Sequence, residues 1–286
     1  MTQINEDHVR RIVEEVVQQV VSGGAAAPVS SAPVSSAQGR ASRGGLFATA
    51  DEAVAAADRA QKTLIAGTLA LRRQIIEAIR QTTRDHAESF SRMALEETGM
   101  GRFDDKVKKH LLAADTTPGV EDLHSVSWTG DHGLTVEEGA PYGVICAVTP
   151  STHPVPTLVN NAISIIAGGN SAVFNAHPGA KNISAHAVQL LNEAILRAGG
   201  PENLIACIEN PTIESADALF NHRGVRLILV TGGAMVARAA LGAPKKSIVA
   251  GPGNPPVVVD ETADIGKAAR DIVDGAAFDN NVLCIG

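Results

Sequence analysis

At 286 residues, with 44% hydrophobic and 19% charged positions, the chain is long enough for one large or two ordinary domains and apolar enough to bury a sizeable core. A net charge of -7 and a pI near 5.7 leave no basic stripe to replace counterions on phosphates, so small molecules or proteins are the expected partners, not nucleic acid. Three cysteines without CxxC spacing exclude a disulfide framework and a paired zinc or redox site. With no apolar run of about 18 residues and no basic-then-apolar leader, the chain reads as cytoplasmic and free of membrane.

The first predicted element is a helix over residues 1–21. Val9, Ile12, Val13, Val16, Val17 and Val20 recur at three-and-four spacing, opposite Glu14 and Gln18. Asn5 can cap it, and Glu6 and Asp7 then fall in the first turn, where free amides and the helix dipole favour negative charge. Its stripe is mostly valine, a mediocre helix former, so the helix needs a surface to firm up against. That surface is either its own domain or a groove on another protein. Residues 22–45 are Ser, Ala, Gly and Pro with scattered Val, a composition that cannot offset ordering entropy and reads as a flexible tether. A short helix on such a tether is suited to docking elsewhere.

Beyond the tether the pattern is helical over Ala50–Ala60 and Leu64–Glu97, and strands begin to alternate with helices near Tyr142. Gly143–Thr149 is a short apolar run suited to a buried parallel strand, ended by Pro150. A helix is expected at Val155–Ala167, a strand at Ser171–Asn175, a helix at Lys181–Ala198 and a strand at Leu204–Ile208. A further strand at Arg226–Thr231 runs straight into Gly232-Gly233 at the head of a helix. The alternation predicts an α/β fold with a Rossmann-like, doubly wound sheet. Glycines at a strand-to-helix turn let a cofactor approach the backbone, and free amides at a helix start attract phosphate. Lacking a full GxGxxG, this Gly-Gly step reads equally as a plain tight turn.

Context separates the cysteines. Cys146 in Val-Ile-Cys-Ala-Val and Cys207 in Leu-Ile-Ala-Cys-Ile sit in apolar strands, where free cysteine is a small hydrophobe. Cys284 follows the amide-rich step Asp279-Asn280-Asn281, where a thiol can be exposed and its thiolate hydrogen-bonded. Spacing alone does not make it a nucleophile. No histidine, His153 and His177 included, shows metal-ligand spacing, and no metal is expected.

Over Leu46 to Gly286 the chain resembles the aldehyde dehydrogenase superfamily, and within it the CoA-acylating branch of propanediol- and ethanolamine-utilising bacterial microcompartments. The resemblance rests on Val148-Thr149-Pro150-Ser151-Thr152-His153-Pro154, Phe174-Asn175-Ala176-His177-Pro178, Val230-Thr231-Gly232-Gly233, Ala250-Gly251-Pro252-Gly253-Asn254-Pro255-Pro256, and Phe278-Asp279-Asn280-Asn281 leading to Cys284. It implies a nucleotide-binding domain over 46–250 and the start of a catalytic domain over 251–286. It also implies a Cys284 thiolate that attacks a short aldehyde, propionaldehyde or acetaldehyde, hands hydride to NAD and passes the acyl group to coenzyme A. The Cys284 amide and Thr152 would hold the oxyanion. Thr149, Pro150, Ser151, His177, Gly232, Gly233, Val236 and Gly251 would line the nucleotide cleft, which CoA shares in turn. Where hydrolytic members carry a water-activating glutamate this chain has Ala250, so transfer to CoA is the expected exit.

Residues 1–21 look like the encapsulation peptides that dock such enzymes on microcompartment shell proteins. Members of the family continue well past the nucleophile and form homo-oligomers. The chain is therefore expected to be a truncated product or a fragment with apolar surface left open. The competing readings are a hydrolytic aldehyde dehydrogenase and a non-catalytic cargo or nucleotide-binding fragment.

Overall fold

The computed structural model describes residues 44–253 and 255–283. The helix expected over 1–21, most of the tether, Asn254 and Cys284 lie outside them. Gly44 and Gly45, read from composition as tether, are already built into the fold. The Gly45 carbonyl accepts from the Cys207 amide at 2.8 Å, and a Cβ on Gly45 would lie 2.2 Å from the Asn192 Nδ2.

Four helices lead into the sheet: α1 (Ala50–Ala66), α2 (Leu69–Asp85), α3 (Ala87–Thr98) and α4 (Phe103–Thr116), preceded by a short strand β1 (Leu46–Phe47). Leu64–Glu97, read from sequence as one helical run, is broken twice. Gly67 ends α1, and the Thr68 hydroxyl opens α2 by accepting from the Leu71 amide at 3.1 Å. His86 makes the second break, its Nδ1 2.9 Å from the Thr82 carbonyl. A local cap at each point outcompetes continuation of the helix.

After an exposed hairpin, β2 (Val126–Gly130) and β3 (Gly133–Glu137), the chain alternates strictly: β4 (Val144–Thr149), α5 (Pro154–Ala167), β5 (Ser171–Ala176), α6 (Lys181–Arg197), β6 (Ile205–Ile208), α7 (Ile213–Asn221), β7 (Val225–Thr231), α8 (Ala234–Gly242) and β8 (Ser247–Ala250). The strands pair in the order β1-β6-β5-β4-β7-β8, all parallel. From β4 the chain winds outward through β5 and β6, then returns to the other side of β4 as β7. That reversal places a topological switch point between the ends of β4 and β7.

Both faces are covered, so the strands are apolar throughout. Ile145, Ala147 and Phe174 face α2, α3, α5 and α6, while Val144, Cys146, Val148 and Val230 face α7 and α8. This period-two division explains why the central strands were legible as continuous apolar runs. After β8 come α9 (Ile265–Ala277), with no buried residue, and a turn at Phe278–Asn281.

Candidate functional site

The carboxyl edge of the sheet gathers nearly every position singled out from the sequence. Thr149, Pro150 and Ser151 leave β4, His177 leaves β5, Gly232 and Gly233 leave β7, and Gly251 leaves β8. Ladder bonds fix their heights: the His177 amide donates to the Thr149 carbonyl at 3.0 Å and the Gly232 amide to the Ala250 carbonyl at 3.2 Å. Thr149 is buried, and its hydroxyl has no partner, a polar atom available to a ligand. Gly233 stands at the N-cap of α8 with no side-chain cap, leaving first-turn amides free, and a Cβ there would meet nothing within 4 Å. Gly232 is tighter, since its Cβ would sit 2.9 Å from Val236 Cγ1. His177 is exposed and its Nδ1 accepts from the Gly179 amide at 3.0 Å. An open glycine, uncapped amides and an orphaned hydroxyl at a switch point fit a dinucleotide phosphate bridge.

Beside this edge, between α4 and α5, lies a cavity of about 360 Å³. Leu112, Ala113 and Pro156 form apolar wall; Lys109, His153, Asn161 and Thr231 supply polar atoms; Leu283, next to Cys284 in sequence, closes one side. No carboxylate is among the described residues of the lining. The Thr152 hydroxyl is 2.8 Å from His153 Nδ1. Burial, with the Lys109 and Lys106 charges adding to it, pushes the His153 pKa down to about 4 against the opposing Asp279, so the ring is neutral at physiological pH.

The segment that leads to Cys284 docks on the start of α4. Asp279 is fully buried; its Oδ1 accepts from the Arg102 amide at 2.7 Å, its Oδ2 accepts from the Lys109 ammonium, and Lys106 is 3.7 Å away. The Asp279 amide donates to Asp105 Oδ2 at 3.0 Å. Burial pushes the Asp105 carboxyl up, but that amide with Lys108 and Arg102 outweighs it and holds the group low. Arg102 also reaches the Ala277 carbonyl at 3.0 Å, and Asn280 Nδ2 the Gly101 carbonyl at 3.2 Å. Sequence reasoning missed this cluster, because local spacing does not show that Lys109 is buried against Asp279, 170 residues further along. The available signal was the Asp-Asn-Asn run, the residue types that best tolerate a left-handed backbone. Cys146 and Cys207 are buried as expected, and burial pushes both thiols up to about 12.

A parallel sheet with its switch point beside a cavity lined in part by Leu283 is the architecture of the Rossmann-like α/β class. The chain belongs to the aldehyde dehydrogenase family, matching it over residues 26–286. It is 54% identical to an acetylating acetaldehyde dehydrogenase, EutE, of Salmonella typhimurium, over 84% of this chain and 51% of that protein. Among solved structures it is similar to a propionaldehyde dehydrogenase of the Clostridium phytofermentans fucose utilisation bacterial microcompartment, at 49% identity and a TM-score of 0.82, covering 84% of this chain and 55% of that one. It is also similar to the Rhodopseudomonas palustris propionaldehyde dehydrogenase with bound propionyl-CoA, at 47% identity and a TM-score of 0.82, covering 84% and 54%. The chain thus spans about half the length of the curated relatives it matches.

Proposed function

We propose that the protein is a CoA-acylating aldehyde dehydrogenase that turns propionaldehyde or acetaldehyde, NAD and coenzyme A into acyl-CoA and NADH inside a bacterial microcompartment. Bound NAD would supply the hydride acceptor; the uncapped start of α8, Gly233 and the orphaned Thr149 hydroxyl support its seat, with Pro150, Ser151, His177, Gly232, Val236 and Gly251 around it. The Cys284 thiolate attacks the aldehyde carbon, a C–S bond forms, and the carbonyl electrons move to oxygen, held by the Cys284 amide and Thr152. As hydride leaves that carbon the carbonyl re-forms, now as a thioester. The CoA thiolate attacks it, and the Cys284 thiolate departs.

The observation that carries this reading is a cavity with no carboxylate among the described residues of its lining, next to an edge where Ala250 ends β8. None of those lining residues is a carboxylate that could activate water, and neutral His153 is a weak base with a pKa of about 4. A thiol brings its own nucleophile. A relative solved with propionyl-CoA supports the same exit. The test is NADH formation from propionaldehyde with and without CoA. We expect CoA-dependent turnover that is lost in Cys284→Ser; a product of free propionate at a rate independent of CoA would refute the reading.

Residues 1–21 are proposed to dock on shell proteins, supported by their valine stripe and by relatives that come from microcompartments. Deleting them is expected to abolish co-purification with shell proteins while NAD binding stays; unchanged co-purification contradicts it. A homo-oligomer is proposed for the assembled enzyme, supported by the hairpin, whose Val126, Trp128, Leu134 and Val136 are all exposed.

A further inference from the structure

Resting on Cys284 as the nucleophile, we propose that Lys109 and Asp279 are a positioning pair that locks the Cys284-bearing segment to the loop carrying Thr152. Asp279, Asn280 and Asn281 adopt φ of 48°, 55° and 59°, three consecutive left-handed residues without a glycine. Such a backbone costs roughly 1–2 kcal/mol per residue, least for Asn and Asp, and persists only where its surroundings over-determine it. Those surroundings are the bonds to Arg102, Asp105, Lys109 and Gly101 described above. Gly101 itself has φ 80°, and a Cβ there would lie 2.1 Å from Asp279 Oδ1, so the turn and the carboxylate are fitted to each other.

The charges are more than packing requires. The side chains of Asp279, Lys106 and Lys109 are 0%, 2% and 3% exposed, and an apolar trio of that volume would be at least as stable. What an apolar trio would lack is the second bond of Lys109, which donates to the Thr152 carbonyl at 3.4 Å while lining the cavity. One ammonium thus joins the segment that brings the thiol to the loop that brings the oxyanion donor. From α4 the pair is faced by Arg102, Asp105 and Lys106, and from the loop after β4 by His153. Catalytic groups held to within about half an ångström need such support.

The test measures how fast propionyl-CoA acylates Cys284 in the full chain, with iodoacetamide alkylation of Cys284 and thermal unfolding alongside. Alkylation needs an accessible thiol but no oxyanion site, and the deeply buried Cys146 and Cys207 stay silent. Asp279→Asn and Lys109→Met are each expected to slow acylation about tenfold or more and alkylation by less than about threefold. The double variant should be no slower than the worse single, because the two act as one unit. Lys109→Arg, which keeps the charge, should recover most of the rate. Acylation at the parent rate in either single variant, additive losses in the double, or losses that only follow unfolding would overturn the pair; if Asp279→Asn does not fold, the two Lys109 variants decide the matter alone. Equal acylation of Cys284→Ser and parent would instead sink the nucleophile assignment.

Discussion

His110 lies inside the helical layer, its Nδ1 2.7 Å from the Lys106 carbonyl and 3.1 Å from the Ser91 hydroxyl, with Nε2 unpartnered. Burial pushes its pKa down to about 4. In the folded protein the His110 ring therefore stays largely unprotonated between pH 6.5 and 4 while in the unfolded chain it takes up a proton, so its contribution to stability falls as pH drops through that window and levels off below it. The contribution is on the order of a few kcal/mol in all. His153 adds in the same direction. Urea unfolding followed from pH 7.5 to 4.5 should show a clearly shallower decline in His110→Gln than in the parent; parallel declines would contradict the assignment. Neither histidine could be placed from sequence. Their environment comes from α3, α4 and α5 packing together, and that packing leaves no mark in local spacing.

Among the elements, helix starts carry the next two expectations. Glu97, at the end of α3, accepts from the Asn182 and Ile183 amides at 2.9 and 2.7 Å and so caps α6 from another helix. Glu97→Ala should cost about 1–2 kcal/mol in denaturant unfolding; no change would mean that water replaces the cap. At α8 the cap is missing, and Gly233→Asp should supply it. The variant is expected to be as stable as the parent or about 1 kcal/mol more so, yet to bind NAD at least about tenfold more weakly, because a carboxylate would occupy the amides proposed for phosphate. Undiminished NAD affinity in calorimetry would remove α8 from the nucleotide seat. The strands β4 to β7 and helices α5 and α6 were legible because both faces of the sheet are buried and the period is clean. The hairpin, α4, α7 and α9 were not. The first is exposed on both faces, and α4 buries charged residues in place of an apolar stripe, whereas α9 does carry a stripe at helical spacing, Ile265, Ala268, Ile272 and Val273, that was not read.

Several large apolar side chains are exposed among the described residues. Trp128 and Leu134 stand on the hairpin at 52% and 65% exposure, and Val258, Ile265 and Val273 precede the cysteine segment in sequence at 91%, 65% and 63%. Open apolar area of this kind marks contact surface. The isolated chain should therefore bind a hydrophobic probe dye strongly, with fluorescence falling in Val258→Ser and Ile265→Ser; a dye-negative monomer would contradict it. Among the described residues no helix is long and apolar enough to cross a membrane, and no His, Cys, Asp and Glu group could hold a metal ion. That Thr149, His177, Gly232 and Gly251 gather at the carboxyl edge of the sheet was readable in advance because they stand at strand ends. The Lys109–Asp279 lock was not, because its partners are 170 residues apart in sequence.

The proposed chemistry turns on an acyl group that rests on Cys284 until a thiol takes it. Supplying propionaldehyde and NAD without CoA, then mapping the protein by peptide mass spectrometry, tests this most directly. A propionyl thioester on the Cys284 peptide, persisting until CoA discharges it as propionyl-CoA and absent from Cys284→Ser, is the predicted result. Rapid loss of that adduct to free propionate without CoA, or no adduct at Cys284 while NADH still forms, would contradict it.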